Sequence, residues 1–443
     1  MKGRILTVIM TVALMGAAQV SWAGEIDDLK AQIRELQKTV EALSKRQDNK
    51  ISVLEEKLDE AVNNAQTIGS GNTGVDFEYV GRYNSPSKKG GLIVKNAFGF
   101  GNVTLGGYFD HEYQDFSNSD SFFDQHRWIL NIGAELGERL RFFSEYEIEH
   151  GGPDAPVNGS AKVEQAYVDF LINDAINVRM GAFLAPFGRL NVLHDSDLRD
   201  TTTRPIVDRD VIPTTWTQAG VGFFGEFNPT LGNYEDLEIN YEIYVENGLD
   251  NGMSETSFSG AKGSLRSDNN NNKGVTGRVA FSPGIGHEIG FSAHRSKYDN
   301  AGDLPVDGKA IDWLTTWGPL EFTGEWANFR VKPGSTPESD NYQGLRLETA
   351  YHFWPEFLDD TFLGRSFEDP TFTAIYRYGW AKIDDGPDAD SIDNEETVHT
   401  IGFNYRPVES WVFKIEKIWS KATASKMEYG GEHGIVIGAA MAF

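Results

Sequence analysis

Two regimes of hydrophobic spacing divide the chain. Between residues 25 and 68 apolar side chains recur at alternating three- and four-residue intervals, through Ile26, Leu29, Ile33, Leu36, Val40 and Leu43, with no Gly or Pro to interrupt them. That spacing is the seam of a helical coiled coil. From Leu43 to Ile51 the phase slips by a stutter, which locally unwinds a supercoil. Ile51, Leu54, Leu58, Ala61 and Ala65 then resume it. Charged residues hold most other positions, so the segment predicts an oligomerising stalk rather than a core helix. Ile or Val alternating with Leu along the seam leans towards two strands.

Beyond Gly69–Gly74 (GSGNTG), which reads as a hinge, the helical period disappears. Segments of about ten residues with strict alternation take over, separated by Gly, Asn, Asp and Pro. Leu140, Phe142, Tyr146 and Ile148 fall on one face, and Arg141, Glu145, Glu147 and Glu149 on the other. Leu237 to Val245 alternates with Glu238, Asn240, Glu242 and Glu246 in the same way. So do Leu320, Phe322 and Trp326 with Glu321, Thr323 and Glu325, and Leu345, Leu347 and Tyr351 with Arg346 and Glu348. Ile435, Ile437, Ala439 and Met441 lead to a terminal Phe443, the pattern an outer-membrane assembly signal takes. About sixteen such segments follow residue 102, an even number that closes an antiparallel barrel without edges. Sixteen strands leave a water-filled lumen. Trp128, Tyr146, Trp216, Trp313, Trp317, Trp354, Trp380, Trp411 and Trp419 near strand ends suit interfacial girdles.

The amino terminus sets the compartment. Lys2 and Arg4 precede an apolar run from Ile5 to Ala18, and Ser21-Trp22-Ala23 supplies a cleavage pattern. This predicts a secretory signal peptide over residues 1–23. The expected organisation is then a periplasmic coiled coil over 25–68, a hinge and lead-in over 69–91, and an outer-membrane barrel over 92–443. The fold class is an all-β transmembrane barrel preceded by an α-helical coiled-coil segment.

Composition narrows the chemistry. The chain has no cysteine, which removes thiol catalysis, iron–sulfur clusters and covalent haem attachment. A net charge of −26 argues against nucleic acid as a partner. HExxH, GxSxG and Walker sequences are absent. The nine histidines stand singly, none at a ligand spacing. The acidic stretch Asp384–Asp393 lacks the order of a calcium loop. The expectation is a protein that is not an enzyme and has no cofactor and no metal.

The informative segment runs from Arg179 to Gly222. A strand, Val178–Phe183, precedes Ala185-Pro186-Phe187-Gly188-Arg189, and a long connection follows, carrying Arg199, Arg204 and Arg209 among Asp195, Asp197, Asp200, Asp208 and Asp210. A connection this long inside a barrel is usually functional. Folded into the lumen, it would narrow the passage, with Arg189 and these charges setting a transverse field.

The VRMGAFLAPFG stretch is similar to the G-x-F-x-x-P-F-G turn of the phosphate-selective porin O/P family. His399-Thr400-Ile401-Gly402-Phe403-Asn404-Tyr405 is similar to its H-T-x-G-x-N-x strand, and signal, stalk, hinge and barrel follow the same layout. The resemblance implies a trimeric, sixteen-stranded porin with periplasmic N-terminal helices and a constriction lined by basic residues. Its partners would be outer-membrane lipid, lipopolysaccharide and the outer-membrane assembly machinery. The residues themselves point elsewhere on selectivity. Alternation places Arg141, Arg346, Arg377 and Lys414 towards the lumen, but also Glu145, Glu147, Glu238, Glu242, Glu321, Glu325, Glu348 and Glu416, an excess that favours cations. Two other readings are a sheath for a multihaem cytochrome in an electron-transfer conduit, and a secreted β protein acting on polysaccharide.

Overall fold

A computed structural model describes residues 76–81, 89–97, 101–153, 159–230, 237–334, 340–384, 393–423 and 427–443. The expected signal peptide, coiled coil and GSGNTG hinge lie outside the described residues, as does most of the acidic stretch between Asp384 and Asp393. Val75–Phe443 forms one compact unit.

Its strands follow the alternation. Two short ones, β1 (Asp76–Tyr79) and β2 (Leu92–Ala97), precede sixteen longer ones. These are β3 (Gly101–Phe116), β4 (Phe122–Leu136), β5 (Leu140–Glu149), β6 (Ser160–Asn173), β7 (Ile176–Leu184) and β8 (Thr217–Phe227). Then come β9 (Glu238–Glu246), β10 (Gly274–Gly284), β11 (His287–Lys297), β12 (Pro305–Trp317) and β13 (Leu320–Val331). The last are β14 (Asn341–Phe353), β15 (Thr371–Asp384), β16 (Asn394–Val408), β17 (Trp411–Ala422) and β18 (His433–Ala442). From β3 onward each strand pairs antiparallel with the next, and β18 returns to β3 in the register Gly434↔Phe116 to Ala442↔Tyr108. The sheet is a closed sixteen-stranded barrel.

The closing seam is shared. β18 covers the second half of β3, while β2 pairs with its beginning, Leu92↔Leu105 to Ala97↔Gly101. Phe443 seals the junction: its N–H donates to the Gly107 carbonyl at 3.0 Å, and its own carbonyl accepts from Gly107 N–H at 3.3 Å.

Burial is inverted relative to a water-soluble protein. Val168, Met180, Phe223, Ile243, Phe291, Phe403 and Ile437 are exposed, whereas Glu145, Asp312, Glu325, Arg377 and Glu416 are buried. Apolar side chains therefore face out and charged ones face in, the arrangement lipid imposes on a barrel. Of the expected girdle residues, Trp128, Tyr146, Trp317, Trp411 and Trp419 are exposed, but Trp216 is fully buried. It packs inside against Phe187, with ring centres 5.6 Å apart, and His294 at 5.0 Å. Its neighbours make it an internal anchor, so it is not a girdle residue.

Candidate functional site: a loop laid across the lumen

The connection from β7 to β8, residues 185–216, does not leave the barrel. Asn191 fastens its base. The Asn191 amide donates to the carbonyls of Ala185 (2.8 Å) and Trp216 (3.2 Å), and its oxygen accepts from Trp216 N–H at 2.7 Å. Gly188 makes the turn with φ of 72°, and a Cβ there would lie 1.9 Å from a Glu325 carboxylate oxygen, so only glycine fits. Phe187 and Trp216 then join Phe258 and Phe329 in an aromatic cluster inside the barrel.

Farther along, Ile206, Val207 and Val211 lie over bare backbone. A Cβ on Gly344 would meet Val207 and Val211 at 3.0 and 3.1 Å, and one on Gly379 would meet Ile206 at 3.0 Å. Gly438 likewise lies against Thr202. Missing side chains on β14, β15 and β18 thus form a shallow bed for the loop. Residues 207–211 make one π-helical turn there, a geometry frequent at functional sites.

Polar groups hold the loop to the far wall. Arg377 donates to Thr201 Oγ1 (2.6 Å), the Thr203 carbonyl (2.9 Å) and Thr203 Oγ1 (2.8 Å). Thr203 N–H donates to Glu416 at 2.8 Å, and Lys414 donates to the carbonyls of Ser196 (2.6 Å) and Thr201 (3.3 Å). Arg406 reaches the Asp197 carbonyl at 2.8 Å and the Asp200 carboxylate at 3.2 Å. Lys89 joins Asp195 (3.2 Å) to Glu145 (3.1 Å), and His194 lies 3.2 Å from Glu164.

The charged residues expected in the loop therefore do different jobs. Asp195 and Asp200 are paired staples, and Asp197 is buried. Arg189 faces Glu288 at 3.7 Å, and Arg209 pairs with Glu428 at 2.5 Å. Burial pushes the Asp208 carboxyl up to about 6 despite the opposing fields of Arg346, Arg204 and Arg377. Asp210 is pushed up to about 8 by burial and then by Glu428 and Glu396.

Arg199 and Arg204 stand apart from these. Arg199 donates to the Thr202 carbonyl (2.7 Å) and Ser196 Oγ (3.1 Å), and Arg204 to Thr215 Oγ1 (3.2 Å). Lys262, from the β9–β10 connection, donates to the Thr214 carbonyl at 3.3 Å. All four hydrogen bonds go to neutral oxygens, and the carboxylates of Asp110 and Glu112 act on Arg199 only through space. Burial, and then mutual repulsion with Arg127 and Arg199, pulls Arg204 down to about 9. Burial, Arg204 and Lys162 pull Lys262 down to about 8. These residues and Arg127 line one cavity of about 1120 Å³ at the end of the barrel that carries the long connections.

Most wall carboxylates, by contrast, are engaged. Glu147 meets Lys162 at 2.8 Å and Arg127 at 3.1 Å, and Asp169 meets Arg179 at 2.7 Å. Asp312 meets Arg278 at 2.5 Å, while Glu325 and Glu348 lie 3.7 Å from Arg346 and Arg377. Glu321 lies 3.9 Å from His352. Glu238, Glu242 and Arg141 sit towards the short-turn end. There Glu238 accepts from Asn240, Glu242 accepts from Tyr244 at 2.7 Å, and Arg141 lies 3.6 Å from Glu135. A smaller cavity of about 630 Å³ includes Arg141 and Glu242. Sequence alternation missed Arg127, Lys162, Arg179, Arg278 and Lys262. For Arg127 and Arg179 the signal was present, since each is the polar member of an alternating strand.

The comparisons with known proteins meet this geometry. Residues 102–374 match the family of phosphate-selective porins O and P. An uncharacterized protein of Aquifex aeolicus (strain VF5) is 29% identical over 284 residues. That alignment covers 58% of this chain and 62% of the relative, so it spans less than two thirds of the relative's length. Among solved structures, Salmonella typhi OmpF in complex with daunomycin superposes with a TM-score of 0.53 at 13% identity, over 77% of this chain and 98% of that one. The anion-selective porin from Comamonas acidovorans gives 0.50 at 13% identity, over 77% and 100%. The two structures share the barrel fold with this chain. A family match across most of the barrel, together with apolar strands facing out and a charged lumen, makes the chain an outer-membrane β-barrel that belongs to the phosphate-selective porin O and P family.

Proposed function

We infer that the protein is a porin that passes small hydrophilic anions, phosphate among them, through an aperture narrowed by the loop 185–216. One observation carries this reading: Arg199, Arg204 and, beside Arg204, Lys262 line the cavity at the end that carries the β7–β8 and β9–β10 connections, and their side-chain hydrogen bonds go to neutral oxygens. Cations lining a water-filled path attract anions, and low-dielectric walls strengthen the field. Pairing of wall carboxylates such as Glu147, Glu325 and Glu348 with bases across neighbouring strands supports this reading over the cation preference expected from the carboxylate excess.

The end carrying the β7–β8 and β9–β10 connections faces outward, and the end carrying the tight β10–β11 and β12–β13 turns faces the periplasm. Three copies associate through their apolar outer walls, and lipid and lipopolysaccharide cover the remainder; OmpT from Vibrio cholerae, of similar fold, has a trimer form. The N-terminal segment is periplasmic, and Phe443 is read by the assembly machinery. A lumen crossed by a loop pinned to both walls is a poor sheath for a cytochrome, which argues against the conduit reading.

The test is the reversal potential of purified protein in a planar bilayer under a KCl gradient, followed by added phosphate. Reversal towards the chloride potential, with conductance reduced by phosphate, is expected. Reversal towards the potassium potential without phosphate block would set the anion reading aside, and no conductance would remove the channel itself.

A further inference from the structure

The geometry points to a binding site for a divalent transition metal of the zinc type, formed by Asp124, His126 and His150 at the rim of the larger cavity. These three residues lie on two adjacent strand ends. His150 follows β5, and its N–H donates to the His126 carbonyl on β4 at 3.4 Å, making the two histidines cross-strand neighbours. Their rings lie 5.5 Å apart. Asp124 sits between them, 2.9 Å from His150 Nδ1 and 3.1 Å from His126 Nδ1. One donor atom from each residue lies within 4.8 Å of the others. Tetrahedral zinc with bonds of 2.0–2.1 Å sets its ligands about 3.3 Å apart. Small rotations of the side chains would bring the three donors to that spacing.

A break in the β-ladder builds the group. The register of β3 against β4 slips between Asp110↔Arg127 and Glu112↔Asp124. Such a bulge re-aims side chains and recurs beside functional sites. Here it brings His126 to 3.8 Å from Glu112, a buried residue of the inner wall. Asp110, Glu112 and His126 also place one donor each within 4.8 Å of one another. Asp110 is 2% exposed, and its Oδ2 has no hydrogen-bond partner. A buried carboxylate oxygen without a hydrogen-bond partner, beside Glu112 and His126, is a donor still open to a ligand. His150 has φ of +51° and precedes two glycines that also have positive φ, so a tight turn carries it.

The donor set selects the ion. Imidazole suits zinc, copper and nickel, whereas calcium and magnesium demand oxygen ligands throughout. Three protein ligands leave a position open to the cavity, where water or a passing anion completes the shell. Asp124, His126, His150 and Glu112 all line that cavity.

The test is calorimetric titration of ZnCl₂ into the detergent-solubilised full chain, with magnesium and calcium in excess. Saturable uptake of one ion per chain below about 100 µM is expected. Both His126→Ala and His150→Ala should weaken it by about tenfold or more, and His287→Ala, at the β10–β11 turn on the opposite end of the barrel, should not. Heat-modifiable gel mobility establishes that each variant is folded. No saturable uptake, uptake unchanged in the His126→Ala/His150→Ala double variant, or displacement by calcium would each overturn the assignment. The measurement reads binding and not current, so it stands apart from the outcome for ion selectivity.

Discussion

Arg377 is the test of how the loop is held. Its guanidinium makes three hydrogen bonds to Thr201 and Thr203, a longer one to Thr400, and faces Glu348 at 3.7 Å. Arg377→Met keeps much of the stem and removes the charge. Deleting one partner of a buried charged group costs about 3–5 kcal/mol. Against this stand Ile206, Val207 and Val211, all essentially buried, each contributing roughly 1.5–3 kcal/mol. The apolar anchors outweigh the loss, so the loop should stay docked at 206–211 and loosen between Arg199 and Arg204. At tenfold per ~1.4 kcal/mol, the open population of that segment rises by roughly two to three and a half orders of magnitude. Single-channel recording in a planar bilayer should show added open-state noise and a weaker preference for anions, with the barrel's heat-modifiable mobility unchanged. A folded variant with wild-type noise and wild-type reversal potential would refute the claim that Arg377 pins the cationic segment.

Three further outcomes follow from the same contacts. Arg204→Gln and Lys262→Gln should each move the KCl reversal potential towards potassium, and the double variant should move it farther; no shift would place both groups off the ion path. Thr202→Cys with Gly438→Cys should form a disulfide in the otherwise cysteine-free chain, because the built Cβ on Gly438 lies 3.2 Å from Thr202 Cβ. Oxidation should leave conductance unchanged if the loop already rests there, and a rise or fall of conductance would show that it moves. Asp210, pushed up to about 8, holds a proton in the docked loop that the undocked loop would release at ordinary carboxylate pH. Its contribution to docking is therefore full at low pH, fades as pH rises, and is gone above about 8. Limited proteolysis of the loop should become faster between pH 5 and 9, and Asp210→Asn should flatten that dependence.

Much of the wall was legible because a strand writes its two faces into alternate residues. Glu145 and Glu147 face inward for the same reason that Tyr146 faces out. What alternation cannot supply is the partner across the ladder. Lys162 and Glu147 meet only after β5 and β6 pair, so a count of lumen carboxylates overstated the open negative charge. The loop was legible as a long charged connection, but not which charges are staples: Asp195 looked like Arg204 in the sequence, yet one is tied to Lys89 and the other faces the cavity. Trp216 was misread because its place at a strand end says nothing of the aromatic cluster beneath the loop. His126 and His150 sat in different strands at no ligand spacing, and only hairpin pairing and a bulge brought them together.

The bare backbone beneath the loop has a last consequence. At Gly344 and Gly379 the height at which the loop rides is set by atoms the wall lacks. A methyl group added at either position would lift Ile206 or Val207 and, with them, the neighbouring Arg204. The bore of the passage can thus be retuned by single steps at uncharged positions of the wall, leaving the loop's own sequence untouched.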